Sequence, residues 1–143
     1  MMASLAFRRA DADDAWFLFQ LRTDPVTAAM SPGPPPSWET HCAWLTHTLE
    51  DATRELWIVE HAALPVATAR VDRGPDQTAV VSITVAPEHR RQGVGMAVLA
   101  FLTQSYPDVT LVAEIRPENL ASRRLFVRSG YVPIMMRYER RSG

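Results

Sequence analysis

The chain has 143 residues, a length that suits one compact domain spanning 1–143 and leaves no room for a second catalytic half. Hydrophobic residues make up 47% and charged residues 22%, the balance of a globular chain rather than a disordered one. With 15 Lys plus Arg against 16 Asp plus Glu the net charge is -1, which excludes a general attraction to nucleic acid or an anionic membrane and makes any anion site local.

A single cysteine, Cys42, cannot form an internal disulfide, and the amino-terminal segment reaches Arg8 and Arg9 without an apolar run. Charged and Pro positions interrupt every hydrophobic stretch before the ~18 residues of a membrane span. A cytoplasmic protein with no membrane segment is expected. His41, Cys42 and His47 match no zinc spacing, so no metal is expected.

In chain order, Ser4–Arg9 predicts a short strand, and Asp11, Asp13 and Asp14 offer caps for a helix to about Arg22. Pro25, Pro32, Pro34, Pro35 and Pro36 predict a stiffened loop between Thr23 and Ser37. Ser37 caps a predicted helix to about Asp51, with Trp38, Cys42, Leu45 and Leu49 as its apolar face. Glu55–Glu60, Pro65–Asp72 and Thr78–Val85 are β-branched-rich runs that read as an antiparallel meander. Val94, Ala97, Val98, Phe101 and Leu102 form a helix face, and Asp108–Ile115 reads as a buried strand. Asn119 caps a helix to about Ser129, Gly130 suits its left-handed exit, and Tyr131–Tyr138 reads as a last strand. The predicted order is β-α-α-β-β-β-α-β-α-β.

The segment Val81–Gly95 carries the chemistry. A strand runs into a turn with Arg90, Arg91 and Gln92, then into a helix at Gly93. Helix N-termini present unsatisfied N–H groups and the positive end of the dipole, and Gly93 and Gly95 lack the Cβ that would hold an anion away. A Walker loop would need a G-K-[ST] ending that is missing here. A dinucleotide fingerprint would place a ribose-binding acid near Glu114 but lacks its third Gly at Val98, and too little chain follows for its remaining units. A Gly-rich turn with solvated arginines is the remaining reading.

Arg90-Arg91-Gln92-Gly93-Val94-Gly95 after VSITV resembles motif A of the GNAT acetyltransferase superfamily, [Q/R]-x-x-G-x-[G/A]. Glu114, Asn119, Ala121-Ser122, Leu125-Phe126 and Ser129-Gly130-Tyr131 resemble the superfamily's next motif, E-V-x-x-x-N-x-x-[SA]-x-x-L-[YF]-x-x-x-G-[FY]. The resemblance spans about residues 55–138 and implies an α/β (α+β) domain with a mixed, mostly antiparallel twisted sheet flanked by helices. It implies acetyl-CoA as co-substrate, its pyrophosphate on the amides of Arg90–Gly95 and its acetyl arm between diverging strands along the backbone of Ile83 and Val85. Asn119 and Ser122 are then candidates for the pantetheine arm and Arg124 for the phosphates.

Attack on a thioester needs an uncharged amine, and an alkylamine with a pKa near ~10 must first lose a proton. Glu114, expected to be buried in an apolar strand that raises its pKa, is the candidate base; the alternative is a structural carboxylate paired with a nearby Arg. Phe126 stands where many superfamily members carry a Tyr acid, so Tyr131, Tyr138, Ser122 or water would have to protonate the thiolate. His41-Cys-Ala-Trp44-Leu resembles an H-x-x-W-L stretch of branches that acetylate amino-sugar nucleotides or ribosomal-protein N-termini, which makes His41 and Trp44 candidate acceptor residues, with helix packing as the plainer reading. The implied activity is N-acetylation of a primary amine by direct attack, on a small molecule or amino sugar, by a monomer or homodimer. The alternatives are a protein N-terminus as acceptor and a non-catalytic acyl-CoA sensor.

Overall fold

A computed structural model describes residues 4–142; residues 1–3 and 143, which the single-domain reading includes, lie outside the described residues. Five strands, β1 (Ala6–Arg9), β2 (Arg54–His61), β3 (Leu64–Arg73), β4 (Thr78–Val85) and β5 (Thr110–Val112), lie in that spatial order. Neighbours are antiparallel except β4 and β5, which run parallel. This mixed, mostly antiparallel sheet excludes the dinucleotide reading, which needs a parallel doubly wound sheet.

The helices are α1 (Ala15–Thr23), α2 (Pro25–Ala29), α3 (Trp38–Glu50), α4 (Val94–Ser105) and α5 (Leu120–Arg128). Alternation along β2 assigns the two faces. Leu56 and Ile58 pack with Leu18 of α1 and Leu45 of α3, while Val59 joins Val71, Val81 and, from α4, Val98, Leu99 and Leu102 in the larger core. Among the described residues no helix is long and apolar enough to cross a membrane.

Each boundary has a local cause. The chain leaves β1 through a 3-10 turn, Ala12–Asp14, closed by a reciprocal capping box between Asp11 and Asp14. Asp14 is buried and receives both arms of the Arg8 guanidinium, at 2.9 and 2.7 Å. Burial alone would raise its pKa, but the Arg8 bonds and the Asp11 N–H outweigh that and hold it below the usual carboxylate range.

Four expectations are corrected. The stretch from Thr23 to Ser37 is not all loop: Asp24 accepts the Thr27 N–H at 3.1 Å and Pro25 takes the first helical position, which together start α2. The buried face of α3 is His41, Leu45 and Thr48 rather than one containing Trp38 and Leu49, because the helix is rotated so that His41 meets α1. The strand predicted over Asp108–Ile115 is only Thr110–Val112. No strand follows α5 among the described residues. Tyr131 packs edge-on against Phe126, but Pro133 removes a ladder donor, and Val132, Ile134, Met135, Met136 and Tyr138 are exposed, pairing with nothing.

Candidate active site

The site begins where the sheet stops being a sheet. Strand β4 pairs with β3 from Ala79 to Val85, but with β5 only over Thr78–Val80. Beyond that, residues 113–116 form no strand, so β4 runs on alone along one edge. The Ala86 N–H reaches the Val66 carbonyl of β3 at 2.9 Å, and the Gly74 N–H reaches the Thr78 carbonyl at 2.8 Å. By alternation the even-numbered residues of β4 bond to β3, and Ile83 and Val85 turn their N–H and C=O groups into the gap. Their side chains pack on the larger core.

At the end of β4 the chain makes a 3-10 turn, Pro87–His89, passes through left-handed backbone at Arg91 (φ 63°) and Gly93 (φ 83°), and enters α4. The first intrahelical bond runs from the Ala97 N–H to the Gly93 carbonyl at 3.2 Å, so the amides of Val94, Gly95 and Met96 have no helical partner. Helices α2, α3 and α5 are capped by the side chains of Asp24, Ser37 and Asn119; among the described residues no side chain caps α4, nor α1, which follows directly on the Ala12–Asp14 turn. An uncapped helix start, turned by Gly93 and placed beside an open strand edge, fits a diphosphate with an extended arm running along β4.

Two members of the turn have jobs the sequence does not reveal. Arg90 is not a free cation at the mouth. Its Nη2 donates to Asp24 Oδ2 at 3.0 Å and Thr27 Oγ1 at 3.4 Å, and its Nε donates to the Val85 carbonyl at 3.2 Å. Burial would raise the Asp24 pKa, but Arg90 and the Thr27 N–H outweigh this and keep it low. Arg91 is exposed and forms no ion pair among the described residues. Gly95 is small for packing rather than for an anion: a Cβ there would lie 2.8 Å from Leu125 Cδ2 of α5. Gln92 makes a long contact, 3.4 Å, to the Glu88 carbonyl.

Across the gap, the β4–β5 register carried forward sets Glu114 level with Ser82. Glu114 is exposed, not buried as expected, because β5 ends two residues earlier. Asn119 Oδ1 accepts the Ser122 N–H at 3.1 Å, so this oxygen serves the α5 cap, and Ser122 is half-buried beside it. Arg124 is exposed. Phe126 is buried in the larger core. The Tyr131 hydroxyl is buried without a partner and burial pushes its pKa up.

His41 is likewise a packing residue: only 3% exposed, its Nε2–H donates to the Ala15 carbonyl at 3.1 Å and joins α3 to α1. Burial pushes its pKa down, against the Ala15 bond, and the nearby Arg22 charge adds to the shift. Trp44 is half-buried against the smaller core, 5.4 Å from the His41 ring. The structure gives both a packing role. Asp24 and Thr27 are the residues the sequence reading missed. Their signal was the Asp-Pro pair itself, an N-cap followed by Pro at the first helical position.

No curated protein matches the sequence significantly. Solved structures do. Spermidine N-acetyltransferase from Vibrio cholerae in complex with CoA and spermine superposes with a TM-score of 0.80 at 17% identity, covering 90% of this chain and 80% of that one. Aminoglycoside acetyltransferase AAC(6')-Ib bound to coenzyme A gives 0.74 at 16% identity, covering 89% and 83%. The same enzyme solved with acetyl-CoA gives 0.75 at 14%, covering 88% and 81%. At these identities the likeness is one of fold. The sequence itself goes further, because the family model for the acetyltransferase (GNAT) domain matches residues 4–132, nearly the whole described chain, and the chain therefore belongs to the GNAT acetyltransferase family.

Proposed function

We propose that the protein transfers an acetyl group from acetyl-CoA to the primary amine of a small molecule, with an amino sugar as one candidate acceptor, by direct attack in the gap between β4 and β5. The observation that carries this reading is the pairing of an uncapped α4 start with the unpaired amides of Ile83 and Val85 at one end of β4. Arg91, Gln92 and the Val94 and Gly95 amides would hold the diphosphate, and the Ile83 and Val85 backbone would orient the acyl arm. The amide of Ile83 or Val85, fixed before the substrate arrives, is suited to the oxyanion that forms on attack. Acetyl-CoA and amines are bound by structural neighbours, an aminoglycoside enzyme and a spermidine enzyme among them, which supports the donor and the amine class.

Glu114 is the proposed base. Standing in water at the rim of the gap, it would take the ammonium proton directly or through one water and pass it to solvent. The thiolate leaves with a conjugate acid near pKa ~8.5, so protonation by water suffices where no tyrosine is placed. Glu114→Gln should bind CoA with unchanged affinity while kcat/KM on a responsive amine falls about 100-fold or more. Wild-type turnover in that variant would remove Glu114 from the mechanism, and absence of CoA binding by the wild-type protein, measured by calorimetry, would remove the reading as a whole.

A further inference from the structure

Arg90 occupies the first position of the turn, yet its side chain is bonded to a different element. Nε holds the carbonyl of Val85, the last residue of β4, and Nη2 holds the carboxylate of Asp24 and the hydroxyl of Thr27. Asp24 in turn accepts the Thr27 N–H at 3.1 Å and is the cap that starts α2. The ion pair is sheltered, with the Asp24 side chain 14% exposed and Arg90 33% exposed. It links residues 66 positions apart. One guanidinium thus ties three parts: the strand end beside the reacting acyl group, the diphosphate turn and the start of α2.

The placement of α2 gives this connection a consequence. Helices α1 and α3 pack on the sheet face that carries Leu56 and Ile58, and α4 packs on the opposite face. A donor entering from the α4 start presents its acetyl carbon through the gap, so an amine must arrive from the side where the α1–α2 corner stands. We infer that the Arg90–Asp24 pair is a positioning device that couples donor binding at the turn to the placement of α2 and the Pro-rich segment after it on the acceptor side. This rests on the proposed acetyl-CoA site. Occupancy of the turn fixes Arg90, Arg90 fixes Asp24, and Asp24 fixes α2; by linkage, whatever loosens α2 weakens donor binding by the same factor.

The test uses CoA itself and needs no acceptor. In the wild-type protein, saturating CoA should slow hydrogen exchange across 26–37 at least threefold. Asp24→Asn keeps the helix cap but discharges the pair. It should weaken CoA binding three- to tenfold in calorimetry, although among the described residues Asp24 hydrogen-bonds to the turn through Arg90 alone, and it should abolish the slowing across 26–37 even at saturating CoA. Arg90→Gln should do the same, and the double variant should be no weaker than the worse single. The milder Thr27→Val, which leaves the charges in place, should show a smaller change in the same direction and serves if Asp24→Asn does not fold. Additive losses in the double variant, Asp24→Asn affinity within twofold of wild type, or wild-type exchange across 26–37 indifferent to CoA would each overturn the coupling. CoA binding by the wild-type protein keeps the acetyltransferase reading intact whichever way the variants fall.

Discussion

Strand β4 treats its two neighbours in opposite ways. Against β3 it forms an antiparallel ladder along nearly its whole length; against β5 it pairs over three residues and then parts. Both edges belong to the same apolar, β-branched run, so side-chain chemistry does not distinguish them. The difference lies in the neighbour. Strand β3 is held to β4 by a hairpin, whereas β5 arrives by a helical crossover and ends at Val112. A site for an extended donor is thus made by stopping a ladder, with backbone amides as its functional groups.

That contrast is broken most severely by proline. Thr84 donates its N–H into the β3 ladder and Val85 turns its own into the gap. Thr84→Pro should therefore cost about 3 kcal/mol or more and leave little folded protein. Val85→Pro spares the ladder, and Thr84 before it is already extended, as a residue preceding proline must be. It should cost less than half as much while CoA affinity falls. Chemical denaturation separates the two, and equal destabilisation would mean that the edges are not distinct.

Most of this architecture was legible in the sequence. The meander strands, α4, α5 and the turn follow from alternation, helical spacing and the Arg90–Gly95 motif, each a pattern within a dozen residues. What was illegible depends on contacts across the chain. Arg90 reads as a phosphate cation until its partner, Asp24, is seen. Gly95 reads as room for an anion until Leu125 is seen against it. Glu114 reads as buried because its neighbours in sequence are apolar, but burial depends on where β5 ends, and His41 reads as a candidate acceptor residue beside its packing reading because its packing partner Ala15 lies on another helix.

The closed side of the sheet has its own charge pair, and acid should test it. Asp14 and His41 both have folded pKa values below their unfolded ones. The unfolded chain therefore binds more protons as pH falls, and stability declines in the acid direction. The His41 contribution is present above ~6.5, its unfolded value, and fades below it; that of Asp14 is present above ~4 and fades below that. Asp14→Asn should cost about 2 kcal/mol at pH 7, because the Arg8 fork loses its charged partner, and should flatten the decline below pH ~4. Urea midpoints from pH 7 to 3 would show it. CoA affinity at pH 7 should not change, since no bond connects Asp14 to the turn.

The two glycines of the turn sharpen the comparison at smaller cost. Gly93→Ala forces a side chain into left-handed backbone and should lose about 1 kcal/mol of stability together with CoA affinity. Gly95→Ala meets only the flexible side chain of Leu125, its two methyls at 2.8 and 3.1 Å, and gains helix propensity, so its net change should stay under about 1 kcal/mol. Combining it with Leu125→Ala should remove the clash. An affinity loss in Gly95→Ala that Leu125→Ala fails to restore would mean that the missing Cβ at Gly95 also makes room for the anion on its amide.

The smallest expected effect lies after α5. Segment 131–138 has the composition of a strand and lies outside the sheet, with Ile134 81% and Met136 78% exposed. Composition gives a strand only its propensity; pairing needs a neighbour, and β5, short and already diverging, offers three residues of edge. Ile134→Ser and Met136→Ser should each change stability by no more than about 0.5 kcal/mol, as exposed positions do. A loss above about 1 kcal/mol in thermal melts would mean that these side chains are buried in solution. If dilution then lowered the melting temperature, the burial would lie between chains, and if it did not, the segment would lie against β5 of its own chain, extending the sheet on the side of the gap that now ends at Val112.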